Sequence, residues 1–386
     1  MALGESIRTA IRSKGQKIKE NDLQKKSLQT AVPSRILAID IGRGTQDILI
    51  YDEGQPVENC VQMVLPSPTQ LIAIQVSRAT ALRKDIFLFG STMGGGPSAW
   101  AVQNHLESGL KVYATEPAAL TLRDNLEEIR KGGVKITRRP PSGVFRIHLR
   151  DMNLPSLQKA LQPFAISLPQ ARAVAVQDHG FSPRGSNRRF RFQYWETFLL
   201  QGGSLQDLIY RTPPPSMTRM AAIQKDAPGT LVMDTCGAAL WGILCDSTVK
   251  EYLEEGILAV NLGNQHTLGA LIQGRRTWGI FEHHTGRMTR DRLISILDRF
   301  PRKRLTHHEI FEDGGHGCSI HPDFSRKRGF RFIAVTGPRR SLAEGMDVHM
   351  AAPYGNMMLT GCFGLVAALK NKFATEAPEG TEKLKK

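Results

Sequence analysis

Two stretches of this chain share one layout. The first is Ile36-Leu37-Ala38-Ile39-Asp40-Ile41-Gly42-Arg43-Gly44-Thr45-Gln46-Asp47-Ile48-Leu49-Ile50-Tyr51-Asp52: an apolar run, a glycine turn, and a second apolar run that ends at Asp52-Glu53-Gly54. The second begins at Ala259-Val260-Asn261-Leu262-Gly263 and closes at Ala270-Leu271-Ile272-Gln273-Gly274. Asn261 falls on Asp40 and Gly263 on Gly42, a constant offset of 221 residues. Run, glycine turn, run is a hairpin pattern. Its recurrence restricts the chain to a fold with two similar halves, each opening on a glycine hairpin, and two such halves define a cleft.

Glycine lets the backbone approach a ligand closely, so a turn of this kind can aim N–H groups at phosphate oxygens. Gly42, Arg43, Gly44, Thr45 and Gln46 form one candidate phosphate loop, and Gly263, Asn264, Gln265, His266 and Thr267 the other. Asp40 ends a buried strand and is placed to hold a hydrated Mg²⁺. Asp47, on the returning strand, is expected to face the same cleft. The plain alternative is an ordinary hairpin with an Asp-capped turn, which leaves the repeat unaccounted for.

The segments after the first hairpin read β-β-β-α-β-α-β-α, which implies a mixed sheet with helices on both faces. Gly94-Gly95-Gly96 precedes a helix and is an anion site by geometry. Glu116, at the end of the next strand, is expected to point at the same cleft. Residues about 135–230 read as an irregular insert rich in Pro and Arg. Asp178 and Asp234 end strands, where α/β folds place ligands, so each is a candidate base. Asp178, followed by His179, is the first choice. A helix- or turn-capping role is the equal alternative for both. Cys236–Cys245 and Met357–Asn371 are apolar helices rich in small residues.

The histidines cluster in sequence. His283-His284, His307-His308, His316 and His321 lie close together, and His316-x-Cys318-x-x-His321 has ligand-like spacing that matches no zinc pattern. Asp313-Gly314-Gly315-His316-Gly317 holds more glycine than an ordinary loop. Three readings stay open: a transition metal, contact with an acidic substrate (His283, His284, Asp313 and His316), or loop hydrogen bonds.

Composition narrows the class. The chain has 386 residues, which exceeds one compact core. Its net charge of +15 is scattered, with no nucleic-acid motif, so anionic small molecules are the expected partners rather than nucleic acid. No run reaches the length of a membrane span. Residues 1–33 form a basic tail, expected to be mobile, without the apolar core of a secretory signal. Residues 374–386 are polar and expected to be disordered. The five cysteines are widely spaced, with no CxxC and no CxxxCxxC, as expected of reduced thiols in the cytoplasm. An iron–sulfur cluster held within this one chain is not expected.

From about Arg35 to Lys372 the chain resembles the superfamily of actin, Hsp70 and sugar kinases. Asp40-Ile41-Gly42-Arg43-Gly44-Thr45 resembles its first phosphate motif, and Asn261 through Thr267 its second. Gly237–Cys245 is similar to the small-residue connecting helix before the second motif, and Met357–Ala368 to the second such helix. Val335-Thr336-Gly337 looks like the strand end that contacts adenosine. The resemblance implies an α/β, two-lobed actin-like ATPase fold, a duplicated ribonuclease H-like architecture with mixed sheets and a central nucleotide cleft. Lobe I would span 34–250, lobe II 251–358, and the last connecting helix 359–373. It implies Mg-ATP as cofactor, with Thr336 and Gly337 at the adenosine. The chain departs from the pattern at Asn261, where an Asp is usual, and at Gly337-Pro338, where Gly-Gly is usual.

The runs Asp-Ile-Gly-Arg-Gly-Thr-Gln-Asp, Phe-Glu-His-His-Thr-Gly and Asp-Gly-Gly-His-Gly look more closely like a prokaryotic family labelled as a pyruvate formate-lyase activating enzyme. A radical-SAM activase needs a three-cysteine motif that this sequence lacks. The expected function is Mg-ATP hydrolysis or phosphoryl transfer to a small acceptor. The alternatives are an ATP-switched activator of a partner enzyme and a metal-dependent enzyme that uses the histidine loops.

Overall fold

In the computed structural model, which describes residues 32–325 and 330–376, the chain builds three sheets. Residues 1–31 and 377–386, which carry most of the two expected tails, lie outside the described residues. Chain order begins with β1 (Arg35–Ile41), β2 (Thr45–Asp52) and β3 (Val61–Pro66), an antiparallel meander. Ile36, Leu37, Ala38 and Ile39 are all buried in succession, the mark of a central strand covered on both faces.

The chain then leaves this sheet. The helix Pro68–Ala81 begins at Ser67, whose hydroxyl accepts the Gln70 N–H, with a proline at the first helical position. It leads into β4 (Ile86–Gly90), β5 (Val112–Ala114), β6 (Val134–Ile136) and β7 (Phe145–Leu149). These four form an all-parallel sheet of their own, in the order β6-β5-β4-β7. The single mixed sheet expected from element order is thus two sheets, with separate cores.

The chain returns as β8 (Ala171–Val176), followed by the helix Asn187–Leu200, β9 (Ile209–Tyr210) and β10 (Leu231–Met233). β8 lies parallel to β1 and β10 parallel to β8, giving the order β3-β2-β1-β8-β10-β9. The stretch expected as an irregular insert at 135–230 therefore supplies a middle strand of the first lobe. The inserted unit is the parallel sheet upstream.

The second lobe repeats this plan. β11 (Ile257–Leu262), β12 (His266–Gln273) and β13 (Arg276–His284) form a meander. β14 (Gly317–Ile320) adds to its edge, and β15 (Phe332–Thr336) and β16 (His349–Met350) follow in parallel beyond β11. The order β13-β12-β11-β15-β16 matches β3-β2-β1-β8-β10. β2 and β12 begin and end at positions offset by the same 221 residues seen in the sequence. The Gly42 N–H donates to Thr45 O at 2.9 Å, and the Gly263 N–H to His266 O at 3.0 Å, the same bond in each hairpin. The two lobes thus repeat one sheet plan, a duplicated ribonuclease H-like strand order.

Two helices lie between the lobes, Thr235–Ile243 and Thr360–Glu376. Both belong to a core that takes residues from β1 and β8 on one side and from β11 and β12 on the other. The second of them continues to Glu376, into the stretch expected as a tail from 374. No helix among the described residues is long and apolar enough to cross a membrane.

Candidate functional site

The two glycine turns face each other across one cavity. Its walls carry Asp40, Gly42, Arg43, Thr45 and Asp47 from the first hairpin, and Asn261, Gly263, Asn264, Gln265 and His266 from the second. Thr336, Gly337 and Pro338 close one side, and Thr235, Cys236, Thr360 and Gly361 of the crossing helices form the floor. The turns come close at their tips: a Cβ on Gly44 would lie 3.1 Å from the Asn264 side-chain nitrogen.

Strand pleat decides which motif residues reach this cavity. Alternate residues point to opposite faces, so Thr45 and Asp47 face in while Gln46 faces out. The Gln46 amide bonds Pro66 O at 3.1 Å, outside the cavity. The second hairpin follows the same rule, with His266 at the place of Thr45 and Thr267 at that of Gln46. Thr267 is fully buried and bonds the Thr285 hydroxyl at 3.1 Å, so it does not line the cleft as expected.

Asp40 and Asp47 stand directly opposite in the β1–β2 register and share a face. Oδ1 of each is buried without a hydrogen-bond partner among the described residues. Burial, with the charges of Asp47 and Asp234 nearby, pushes the Asp40 carboxyl well above the ordinary carboxylate range. Burial pushes Asp47 up to about 7, against a lowering hydrogen bond from the Thr45 side chain. The corresponding positions of lobe II are Asn261 and Leu268, so any carboxylate donor set in this cleft comes from lobe I. Two carboxylates with unpartnered oxygens suit a hard cation such as Mg²⁺. Gly361 makes room for one of them, since a Cβ there would lie 1.9 Å from Asp40 Oδ2.

Gly337, at φ +103°, packs its Cα against the end of β11, where a Cβ would lie 2.5 Å from Leu262 O and 2.7 Å from Asn261 Oδ1. Only glycine fits there without strain. Thr336 bonds the Thr360 hydroxyl at 3.1 Å, tying this strand end to the crossing helix.

A second cavity adjoins the first through Gly42, Arg43, Gln177, Thr235 and Gln265. Gly94, Gly95 and Gly96 line it beside Arg219, Asp178 and His179. A Cβ on Gly94 would lie 2.8 Å from the Arg219 guanidinium, so this glycine admits the arginine. Arg219 is held by Asp151 through two bonds of 2.7 Å. Glu116 lines neither cavity. It is exposed in the first turn of the short helix Glu116–Ala119.

The two candidate bases are committed elsewhere. Asp178 accepts the Gly180 N–H through Oδ1 and the Arg219 and Met220 N–H groups through Oδ2, capping the helix Thr218–Asp226. Asp234 accepts the Cys236 N–H at 2.9 Å as a helix cap and pairs with Arg191 at 2.8 Å. Both therefore take the capping role that was their alternative.

The histidines divide. His283 is fully buried and bonds Asp313 Oδ2 at 3.0 Å, and Arg292 approaches the same oxygen at 3.0 Å. His283 and Asp313 thus sit apart from the cleft. Cys318 is buried against Leu305 O, and His321 packs on Trp278, so neither joins His316 as its spacing suggested. The glycines of that loop serve close packing: a Cβ on Gly315 would meet Ile310 at 2.7 Å and His283 at 2.9 Å.

His316 instead meets His266 and His179, with one ring nitrogen of each within 4.8 Å of the others. His284 stands alongside, its ring centre 4.8 Å from that of His266 and 4.9 Å from that of His316. Burial, then the Arg191 charge, lowers His179 to about 3, and burial lowers His316 to about 4. His266 is held well below its usual range, again mainly by burial. All three are neutral imidazoles at pH 7.

Sequence reasoning missed Gln177, Gly361 and Arg191. Gln177 lines both cavities and bonds the His266 ring. It directly precedes Asp178, and the strand-end position that singled out the carboxylate applies equally to it.

Comparison with solved structures gives likenesses at low identity. The ethanolamine utilization protein EutJ from Carboxydothermus hydrogenoformans is 11% identical, with 88% of this chain and 91% of that chain covered and a TM-score of 0.30. A chain of the PilM–PilN type IV pilus biogenesis complex is 11% identical, with 89% and 99% covered and a TM-score of 0.33. An exopolyphosphatase-like protein is 10% identical, with 88% and 87% covered and a TM-score of 0.25. A search of curated proteins found no match. Residues 93–342 match the family described as "Putative pyruvate format-lyase activating enzyme (DUF1786)".

Proposed function

The chain belongs to the DUF1786 family, and we propose that its interlobe cleft binds a Mg²⁺-nucleoside triphosphate and hydrolyses it. One observation carries this reading. Two glycine turns related by the internal repeat line a single cavity with the unpartnered carboxylate oxygens of Asp40 and Asp47. Among the described residues the amides of Arg43, Gly44, Asn264 and Gln265 donate to no backbone acceptor, which suits them to meet phosphate oxygens. Arg43 adds a positive charge at the same mouth. Asp40 and Asp47 would hold the cation, which when bound neutralises charge on the transferred phosphoryl group. Thr336 and Gly337, which line the same cavity, would then contact adenosine, the role that the superfamily resemblance implies for them.

The commitment of Asp178 and Asp234 to helix caps and an ion pair favours slow hydrolysis coupled to lobe movement over a small-molecule kinase. A kinase needs a base within reach of its acceptor. Such a protein would act as a nucleotide-dependent switch on a partner enzyme.

The test is thermal unfolding with ATP, ADP and GTP, each with and without Mg²⁺, on the wild type and Asp40→Ala. At 100 times its Kd a ligand stabilises by about 2.7 kcal/mol, a rise of several degrees. Asp40→Ala should unfold at a higher temperature than the wild type without ligand, because it removes a buried unpartnered carboxylate. It should also lose the Mg²⁺-dependent rise. If no nucleotide moves the wild-type transition, the reading fails.

A further inference from the structure

Three imidazoles from three separate segments converge beside the cleft. His179 follows β8 in lobe I, while His266 opens β12 and His316 immediately precedes β14, both in lobe II. His316 is fully buried, and neither of its nitrogens has a hydrogen-bond partner among the described residues. His266 is 5% exposed, and its Nε2 also has none, although Nδ1 is bonded by the Gln177 amide. Leaving a buried polar atom unsatisfied costs about 1–3 kcal/mol. Three such nitrogens sit on two touching rings beside a third imidazole, and a metal ion would take up one ring lone pair from each.

We propose that His179, His266 and His316 bind a divalent transition metal of the borderline class, such as Zn²⁺ or Fe²⁺. Imidazole nitrogen suits this class, whereas Mg²⁺ takes oxygen, so the site is distinct from the Asp40–Asp47 pair. Metal–nitrogen bonds of 2.0–2.1 Å place ligand atoms roughly 3.4 Å apart in a tetrahedron. The nitrogens, now within 4.8 Å, reach that spacing by small ring rotations. Gln177 Nε2 meets His266 Nδ1; with that amide turned over, its oxygen would accept from Nδ1–H and leave the His266 Nε2 lone pair for the metal.

Three protein ligands leave one position open. His179 also lines the second cavity, next to Gln265 and Arg219, so the open position faces a site that can admit solvent or the oxygen of an anionic ligand. The ligands come from both lobes, and metal binding would clamp the cleft. His266 immediately follows the turn Gly263-Asn264-Gln265, so the metal and the second glycine turn share one short segment. The proposal stands whether or not the cleft binds nucleotide.

The test uses the full chain, prepared without a polyhistidine tag, stripped by chelator and titrated with Co²⁺ alone and then Zn²⁺ alone, with no nucleotide. One Co²⁺ per chain should give visible ligand-field absorption that one equivalent of Zn²⁺ removes, and Zn²⁺ should raise the unfolding temperature. His316→Ala and His179→Ala should each weaken metal binding at least tenfold, and Asp40→Ala should leave it unchanged. His179 is the less buried of the two, so its variant remains informative if His316→Ala does not fold, with circular dichroism as the check. Absence of a stoichiometric Co²⁺ spectrum in the wild type, or full retention of it in folded His179→Ala, overturns the proposal.

Discussion

Asp47 is 8% exposed, and one of its oxygens has no partner among the described residues. Burial raises its pKa from 3.8 to about 7 in the folded chain. Between those values the folded protein holds a proton that the unfolded chain has released. The stability from this group is therefore complete below pH 3.8 and is lost as pH rises through about 7. The loss at pH 8 is on the order of 4 kcal/mol. In chelator-treated protein, Asp47→Asn should raise the unfolding temperature at pH 8 and leave it nearly unchanged at pH 4.5. Added Mg²⁺ should stabilise the wild type more at pH 8 than at pH 5.5, because cation and proton compete for one carboxylate. Equal unfolding temperatures for the variant and the wild type at pH 8 would refute this account. At this scale the sequence was informative about Asp40, Asp47 and the turn glycines, because a hairpin's own pleat and turn place them. The same pleat excludes Gln46 and Thr267, which the two candidate phosphate loops include. Whether Asp178 and Asp234 had free oxygens was not legible. That depends on Arg219, Met220 and Arg191, which reach them through tertiary packing.

The crossing helices depend on three glycines with different neighbours. A Cβ on Gly242 would lie 1.9 Å from Thr360 O, and one on Gly364 would lie 1.9 Å from Ala238 O. Both obstacles are backbone, so the helices themselves would have to separate. Gly361 differs, because its obstacle is the Asp40 carboxylate, the end of a side chain that can turn away. Gly364→Ala should therefore destabilise the protein by about 1–3 kcal/mol, the usual cost of overpacking a well-filled interior. Gly361→Ala should cost less stability but displace Asp40 and reduce the Mg²⁺-nucleotide shift. Denaturant unfolding and ligand-dependent melting on both variants separate the two effects. A Gly361→Ala protein with an unaltered nucleotide shift would mean that Asp40 does not need this notch. The small-residue character of both helices was legible as composition. Which glycine met a backbone and which a carboxylate was not, because helical periodicity gives a face but not the partner across it.

At the scale of the molecule, the lobes are joined by a buried ion triad as well as by the crossing helices. Arg191, on the helix Asn187–Leu200, pairs with Asp234 of lobe I and with Glu282 on β13 of lobe II, each at 2.8 Å. All three side chains are at most 2% exposed, and the Trp195 indole N–H adds a bond to Glu282 at 3.2 Å. Burial is the strongest single influence on the Glu282 carboxyl and raises it, but the charge and hydrogen bonds of Arg191 together with the neighbouring His316 and His266 outweigh it and hold the group well below its usual range. None of this was legible in the chain. Arg191 falls within the stretch that reads as an irregular insert, and its partners lie 43 and 91 residues away. Strand sharing was hidden for a related reason: the order of elements lists strands without saying which sheet each joins. Removing the arginine leaves two buried carboxylates unpaired, so Arg191→Met should destabilise by about 3–5 kcal/mol. Desolvating three charges consumes much of what their attraction returns, and an apolar replacement of the whole set can be neutral. The triple variant Arg191→Met, Asp234→Asn, Glu282→Leu keeps the cap on the helix Thr235–Ile243, since Asn caps as well as Asp. It should recover most of the stability lost by the single variant. The triad then acts mainly to fix how the lobes dock, which predicts that the triple variant loses the nucleotide shift while remaining stable to denaturant. A triple variant no more stable than Arg191→Met would instead make the ion pairs themselves the source of stability between the lobes.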